Sequence, residues 1–316
     1  AQFHFFFNED KNKRPDLGFF AESSHQAFHL EQCLLLQPVL NDFLTFLQKK
    51  LPSYGQKLVG LKDIVVQTDY LGEKIGLTLV TEKRNPIYGQ LLADLSLDYP
   101  QLAFAAHNIN QGGGLFGDIW PIGSDCGFLP EKIGHLSFAL APGSFLQVNS
   151  RQTLNLYNIV KRFADIQKDE KVLDIYCGIG TISLFLGEEA GEIWGIEEFA
   201  PAILAAEANA SANNIKNSHF IAGKAEEILP EYQENGYYWD KIILDPPRQG
   251  CRPEVIAAIC AIAPKKIVYV SCDSATLARD LKIFADKNYR VEAIQPVDMF
   301  PQTRHVECVC LLTKNK

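Results

Sequence analysis

Cys272 and Glu307 are the two side chains of this sequence whose types and settings allow covalent chemistry. Cys272 ends the apolar run Ile-Val-Tyr-Val-Ser at 267–271, which reads as a buried strand. Glu307 lies within His-Val-Glu-Cys-Val-Cys-Leu-Leu at 305–312, a second strand-like run. A thiolate attacks electron-poor carbon and a carboxylate accepts protons. The pair can therefore add to a pyrimidine ring and later remove a proton from it. Taken singly, Cys272 also fits a buried thiol at a strand end, and Glu307 a surface salt-bridge partner on the outward face of its strand.

Two loops add to the pair. Asp174-Ile-Tyr-Cys-Gly178-Ile-Gly180 follows an apolar strand and opens a helix, and Glu197 stands 19 residues beyond Gly178 at the end of the next strand. Glycines at such a turn let a ligand approach the backbone, and an acid at that distance can accept from ribose hydroxyls. The third glycine of a dinucleotide fingerprint is Ser183 here. Asp174 would repel a pyrophosphate and suits a cationic amino-acid ligand instead. The segment resembles the first motif of S-adenosylmethionine-dependent methyltransferases; a plain strand-to-helix turn in another doubly wound fold is the alternative. Asp245-Pro246-Pro247-Arg248 follows the strand Lys-Ile-Ile-Leu, where its prolines stiffen a loop at the substrate side.

The elements that must carry these groups are legible as alternation. From 171 onward, apolar strands (KVLDI, EIWGIE, SHFIA, KIIL, KKIVYVS) alternate with helical stretches through TISLFLGEE, PAILAAEANASANN, PEVIAAICAIA and ATLARDLKIFAD. YRVEAIQPVD and HVECVCLLT close the chain. This predicts an α/β, Rossmann-like domain over 136–316 with a mostly parallel sheet, helices on both faces and ligands at the C-terminal strand ends. A helix through LNLYNIVKRFADI is expected to be capped by Asn149 or Ser150. Residues 1–135, with strand-like runs FHFFF, LGFFAE, DIVVQTD and IGLTLVT and an amphipathic stretch at 38–50, predict a smaller mixed α/β domain. Gly112-Gly113-Gly114 and the turn-rich stretch up to Gly134 read as hairpin loops.

Together GSFLQVN, VLDIYCGIGTISL, DPPRQGC, IVYVSCDSATLARD and DMFPQTRHVECV resemble the bacterial RNA (uracil-5-)-methyltransferases, closely through the C-terminal domain and more loosely before it. The resemblance implies that Cys272 adds to C6 of a uridine and that Glu307 removes the C5 proton. It implies an S-adenosylmethionine and target-base pocket formed by Gln147, Tyr176, Gly178, Gly180, Thr181, Glu197 and Asp245. Phe145, Arg248 and Arg279 are the expected substrate contacts, Phe145 by stacking on a flipped-out base. No metal is expected. RNA is the implied partner, ribosomal RNA being favoured over transfer RNA because DMFPQTxHVE and DPPRxGC are closer to the ribosomal branch. Help in ionising Cys272 is expected from the helix beginning near Ala275 and from Arg279 or Arg248.

The sequence departs from the family in three places. Ser274 replaces a proline two positions after the nucleophile, Thr181 stands where some relatives carry Asn, and Arg304 occupies a position that is often aromatic. Many relatives add an N-terminal barrel, and some an iron–sulfur cluster. Cys33 resembles the fourth cluster ligand, but no cysteine triplet accompanies it, so no cluster is expected in this chain. The only Met is Met299, and a segment upstream of residue 1 is expected. Two other readings stay open: a methyltransferase acting on a different base or a small molecule, which would not need Cys272, and an RNA-binding assembly factor that keeps the fold without turnover.

Composition bounds these readings. With 47% apolar and 22% charged residues and no apolar run of membrane-spanning length, a globular cytoplasmic protein with no membrane partner and no obligate protein partner is expected. The eight cysteines (33, 126, 177, 251, 260, 272, 308, 310) show no CxxC spacing. A net charge of −8 argues against a general polyanion binder, so nucleic-acid contact must be local or shared with a missing segment.

Overall fold

The computed structural model describes residues 1–9, 12–21, 24, 26–112, 114–122 and 127–315. Gly113 and Cys126 lie outside the described residues. The chain divides into two compact units: residues 1–131 with 139–143, and residues 132–138 with 144–316.

The first unit contains β1 (Gln2–Asn8), β2 (Arg14–Phe20), β3 (Ala27–His29), α1 (Pro38–Lys50), β4 (Leu61–Thr68), β5 (Ile75–Thr81), α2 (Pro86–Asp98), β6 (Leu102–Ile109) and β7 (Ile119–Ile122). Its strands form one sheet in the order β3-β2-β1-β4-β5-β6-β7. Every pairing is antiparallel except β5 with β6, and α2 makes the crossover that this parallel pair requires. Phe43, Leu44 and Leu47 of α1 and Leu91, Leu92 and Leu95 of α2 bury with Phe3, Ile64 and Leu79 of the sheet. The sequence pattern shows α1 but hides α2, because Gly89 interrupts its first turns and its apolar residues spread over more than one face. What starts α2 is local: Asn85 accepts from the Ile87 N–H at 3.1 Å and Pro86 follows it. A hairpin of β8 (Leu129–Ile133) and β9 (Leu136–Leu140) comes next, turning at Gly134 with φ +62°.

In the second unit α3 (Ser150–Ala164) leads to β10 (Lys171–Ile175), α4 (Thr181–Gly187), β11 (Glu192–Glu197), α5 (Ala200–Ala212), β12 (Ser218–Ala222), α6 (Ala225–Glu234) and β13 (Lys241–Leu244). Then come α7 (Pro253–Ile262), β14 (Lys266–Ser271), α8 (Ser274–Asp286), β15 (Tyr289–Val297) and β16 (Glu307–Lys314). Asn149 caps α3 by accepting from the Gln152 N–H. The sheet order is β12-β11-β10-β13-β14-β16-β15. The first five strands are parallel, whereas β16 inserts antiparallel between β14 and β15. Helices α6, α7 and α8 bury Leu229, Val255, Ile259 and Phe284 against one face, and α3, α4 and α5 pack on the other. This is the Rossmann-like arrangement that the strand–helix alternation predicts. Helix α6 escapes the sequence pattern because Pro230 stands inside it.

Candidate active site

The position of β16 brings Cys272 and Glu307 together. On β14, Ser271 pairs with Cys308 of β16. One step outward along the two strands lie Cys272 and Glu307, side by side at the C-terminal end of β14. On its other edge Glu307 pairs with Val297 of β15, so a strand on each side fixes its backbone. The turn from β14 into α8 is only two residues long. Ser271 Oγ donates to the Asp273 carbonyl at 3.0 Å and accepts from the Asp273 N–H at 3.2 Å, which holds Cys272 between them.

These residues open onto a cleft of about 600 Å³. Gln147, Tyr176, Gly178, Thr181, Glu197 and Asp245 line it, together with Phe145, Arg248, Cys272 and Glu307. Gly180, between the lining residues Ile179 and Thr181, does not itself line it. Phe145 is 69% exposed at the rim.

The cleft is acidic and closely walled. Glu307, 2% exposed, is pushed up to about 8 by burial and by the Asp245 carboxyl. Asp245 itself is pushed up to about 7 by burial, against the hydrogen bond from Gln147. Asp174 also rises to about 7 through burial, although Ser183 Oγ donates to its Oδ2 at 2.5 Å. Among the described residues, the other oxygen of Asp174 is the one buried side-chain polar atom with no hydrogen-bond partner.

Of the assistance expected for Cys272 from sequence, only that of Arg248 is present. Burial and the Glu307 and Asp245 carboxyls push its thiol up, and the Arg248 guanidinium opposes them. The N-terminus of α8 is already occupied: Asp273 accepts from the N–H groups of Ala275 and Thr276, each at 3.0 Å. Arg279 is absent from the cleft lining. Its guanidinium is bonded to buried Asp280 and to the Gln249 carbonyl, each at 2.8 Å.

The glycine turn has the shape a small organic ligand needs. Tyr176, Gly178 and Gly180 all take positive φ, at +71°, +54° and +79°, and a Cβ on Gly178 would meet nothing within 4 Å. Glu197 accepts from the Gly178 N–H at 3.2 Å and from the Phe199 N–H at 2.9 Å, which fixes its carboxylate beside that opening. The Thr181 hydroxyl is bonded to buried Tyr157 at 2.7 Å. An open glycine, an oriented carboxylate and a buried carboxyl with one unpartnered oxygen fit a ligand that carries a ribose and a cationic amino acid, as S-adenosylmethionine does.

Phe300 and His305 also line the cleft, and sequence reasoning passed over both. Arg248 brings one guanidinium nitrogen within 2.9 and 3.1 Å of the two ring nitrogens of His305. The period of two in an extended chain puts His305 on the same face as Glu307, and that signal was available. Among the described residues no group of three His, Cys, Asp or Glu side chains is disposed to hold a metal, and no helix is long and apolar enough to cross a membrane.

Comparison with known proteins gives this geometry a family. Residues 132–315 match the model of the tRNA (uracil-5-)-methyltransferase family. The chain belongs to that family. An uncharacterized RNA methyltransferase of Oceanobacillus iheyensis is 37% identical over 315 residues, which is 96% of this chain and 69% of that protein. One from Clostridium tetani is 37% identical over 314 residues, covering 95% of this chain and 67% of that one. This member of the uracil-5-methyltransferase family thus spans about two thirds of the length of these relatives. Among solved structures it resembles the Pyrococcus abyssi tRNA (uracil-54, C5)-methyltransferase in complex with S-adenosyl-L-homocysteine, with a TM-score of 0.76 and 25% identity over 99% of this chain and 75% of that one. The M. jannaschii tRNA m1G37 methyltransferase, at a TM-score of 0.52 and 15% identity over 82% of this chain and 77% of that one, shares the fold. Family and fold together make the protein a methyltransferase of the S-adenosylmethionine-dependent type.

Proposed function

We propose that this protein methylates C5 of a uridine in RNA through a covalent bond between Cys272 and C6. The observation that carries the reading is the strand register that sets Cys272 beside Glu307, in the same cleft as the unpartnered Oδ1 of Asp174 and the open side of Gly178. Asp174 and Glu197 hold the amino-acid and ribose parts of S-adenosylmethionine. Tyr176, Gly178, Gly180 and Thr181 shape the turn around them. When bound, this cofactor supplies an electrophilic methyl group to C5.

The protein's own residues make C5 reactive. C5 of uracil is a poor nucleophile until the Cys272 thiolate bonds to C6, which moves the C5–C6 electron pair into an enolate at C4–O. Arg248 is the cation that favours that thiolate. Once C5 carries the methyl group, the Glu307 carboxylate takes the C5 proton, the C5–C6 double bond re-forms and the sulfur leaves as thiolate. A base that titrates near 8 is well matched to this transfer, since general-base efficiency peaks when the pKa lies near the working pH. Phe145, exposed at the rim, stacks on the base once it leaves its own strand. Asp245 and Gln147 face the ring edge.

The test is incubation with 5-fluorouridine-containing RNA and S-adenosylmethionine. Fluorine cannot leave as a proton does, so a protein–RNA adduct that resists denaturation should accumulate on Cys272. No adduct from the wild type, or an adduct that survives Cys272→Ala, would reject the mechanism.

Ribosomal RNA is the favoured substrate, on the wording of the DMFPQTRHVE and DPPRQGC segments. Transfer RNA is the second reading, favoured by the likeness to the P. abyssi enzyme. Nucleoside mapping of both RNA classes from cells with and without the protein separates them: loss of 5-methyluridine from transfer RNA alone would overturn the ribosomal preference.

A further inference from the structure

The loop that presents Arg248 to the cleft is gripped from α8. Pro247 to Gly250 form a tight turn closed by the Gly250 N–H donating to the Pro247 carbonyl at 2.8 Å, with Gly250 at φ +74°. Four bonds from α8 then fasten it. Thr276 Oγ1 donates to the Arg248 carbonyl at 3.2 Å, and Arg279 donates to the Gln249 carbonyl at 2.8 Å and the Cys251 carbonyl at 3.4 Å. Asp280 accepts from the Cys251 N–H at 2.8 Å. Asp280 is fully buried and also accepts from Tyr269 Oη of β14 at 2.7 Å and from Arg279 Nε at 2.8 Å. A Cβ on Gly250 would stand 2.4 Å from the Asp280 carboxylate and 2.6 Å from the Arg279 guanidinium, so turn and clamp fit without spare room.

We propose that Arg279 and Asp280 are positioning residues: they lock the 247–251 turn to the helix that follows Cys272 and so set the place of Arg248, whose guanidinium meets His305, in the cleft that Cys272 also lines. This rests on the functional reading above and deepens it. A buried carboxylate with three donors is an arrangement that breaks expensively when one partner is removed. Both ends of the clamp are attached to the nucleophile, because β14 carries Tyr269 and runs into Cys272, and α8 begins two residues after it. Arg279 therefore acts through the protein and not by touching RNA.

The experiment measures the pH profile of Cys272 alkylation by iodoacetamide in the full chain, read by mass spectrometry of the Cys272 peptide. It needs neither RNA nor turnover. Arg248→Gln should move the inflection upward by up to about one unit, the lower end of what loss of a neighbouring opposite charge produces. Arg279→Gln, whose side chain is half exposed, should move it in the same direction, with Arg279→Lys recovering part of the shift. The double variant should move it no further than Arg248→Gln alone. An Arg279→Gln profile that overlays the wild type would overturn the proposal, as would fully additive shifts. Weaker RNA binding with an unmoved profile would instead make Arg279 an RNA contact. If the 5-fluorouridine adduct never forms while the alkylation profiles shift as stated, the functional reading fails and the clamp survives.

Discussion

Gln147 and Asp245, 98 positions apart in sequence, meet across a hydrogen bond of 3.1 Å from the amide nitrogen to the carboxyl. The bond is the force that holds down the proton affinity of an acid that burial otherwise raises. Gln147→Leu removes the donor without adding bulk. A hydrogen bond to a charged group is worth about 1.5–3 kcal/mol, so kcat/KM for RNA methylation should fall roughly 10–100-fold. Gln147→Glu should do worse, because it adds a carboxyl beside Asp245. Steady-state kinetics on both variants decide the point, and a loss smaller than twofold in Gln147→Leu would remove Asp245 from the working site.

Glu307→Gln separates the two halves of the proposed reaction. Gln can take no proton, so elimination should stop after sulfur has bonded to C6 and C5 has been methylated. The variant should therefore accumulate a denaturation-resistant adduct on ordinary uridine RNA, with turnover reduced by about 10²–10⁴. In the wild type, where this carboxyl is held near 8, turnover should climb with pH until Glu307 is ionised. Denaturing gels and a pH–rate series check both, and a freely turning-over Glu307→Gln enzyme would assign the base elsewhere.

How much of this site was legible beforehand depends on the kind of contact. Cys272 and Glu307 each end or begin an apolar run, and one-dimensional pattern finds such residues. Their adjacency was not readable, because nothing in YRVEAIQPVD or HVECVCLLT says that the last strand turns back between β14 and β15. The direction of the thiol's shift is not legible in sequence because it comes from burial and from Glu307, 35 residues away in the chain; in addition Asp273 caps α8 with a carboxylate at the helix terminus expected to assist Cys272. Arg279 reads from sequence as a substrate contact because its partner Asp280 is adjacent in the chain, and two neighbours on a helix do not normally face each other. Here Asp280 is drawn inward by Tyr269 and Cys251, and the guanidinium follows it.

The raised carboxyls predict how stability depends on pH. A buried acid that holds its proton more tightly when folded binds more protons in the native state than in the unfolded chain between its two pKa values, so stability falls as pH rises through that window. For Glu307 the window runs from its ordinary value of 4.5 to about 8. Each tenfold change in proton affinity is worth about 1.4 kcal/mol, or ~2–4 °C in Tm per kcal/mol for a unit of this size. Other groups titrate in the same range, so the measurement is the difference between Glu307→Gln and wild type. That difference should grow in favour of the variant from pH 5 to pH 8.5 in thermal melts. A difference that is flat with pH, or that grows in the other direction, would mean that Glu307 is not held protonated by its surroundings.

Gly178 and Gly180 should fail differently when replaced by alanine. Both have positive φ, which strains an L residue by roughly 1–2 kcal/mol. At Gly180 a Cβ would also press to 3.0 Å from the Phe220 ring and 3.1 Å from the Ala206 methyl, inside the packing between α5 and the sheet. Gly180→Ala should therefore lower Tm more than Gly178→Ala. At Gly178 nothing stands within 4 Å of the new methyl, because that side is the cleft itself. Gly178→Ala should leave folding largely intact and instead weaken binding of S-adenosylhomocysteine by calorimetry, by about tenfold or more, as the methyl enters space the ligand requires. If Gly178→Ala bound the ligand like wild type, the turn would not be the cofactor's cradle, and the assignment of Asp174 and Glu197 to its two ends would fall with it.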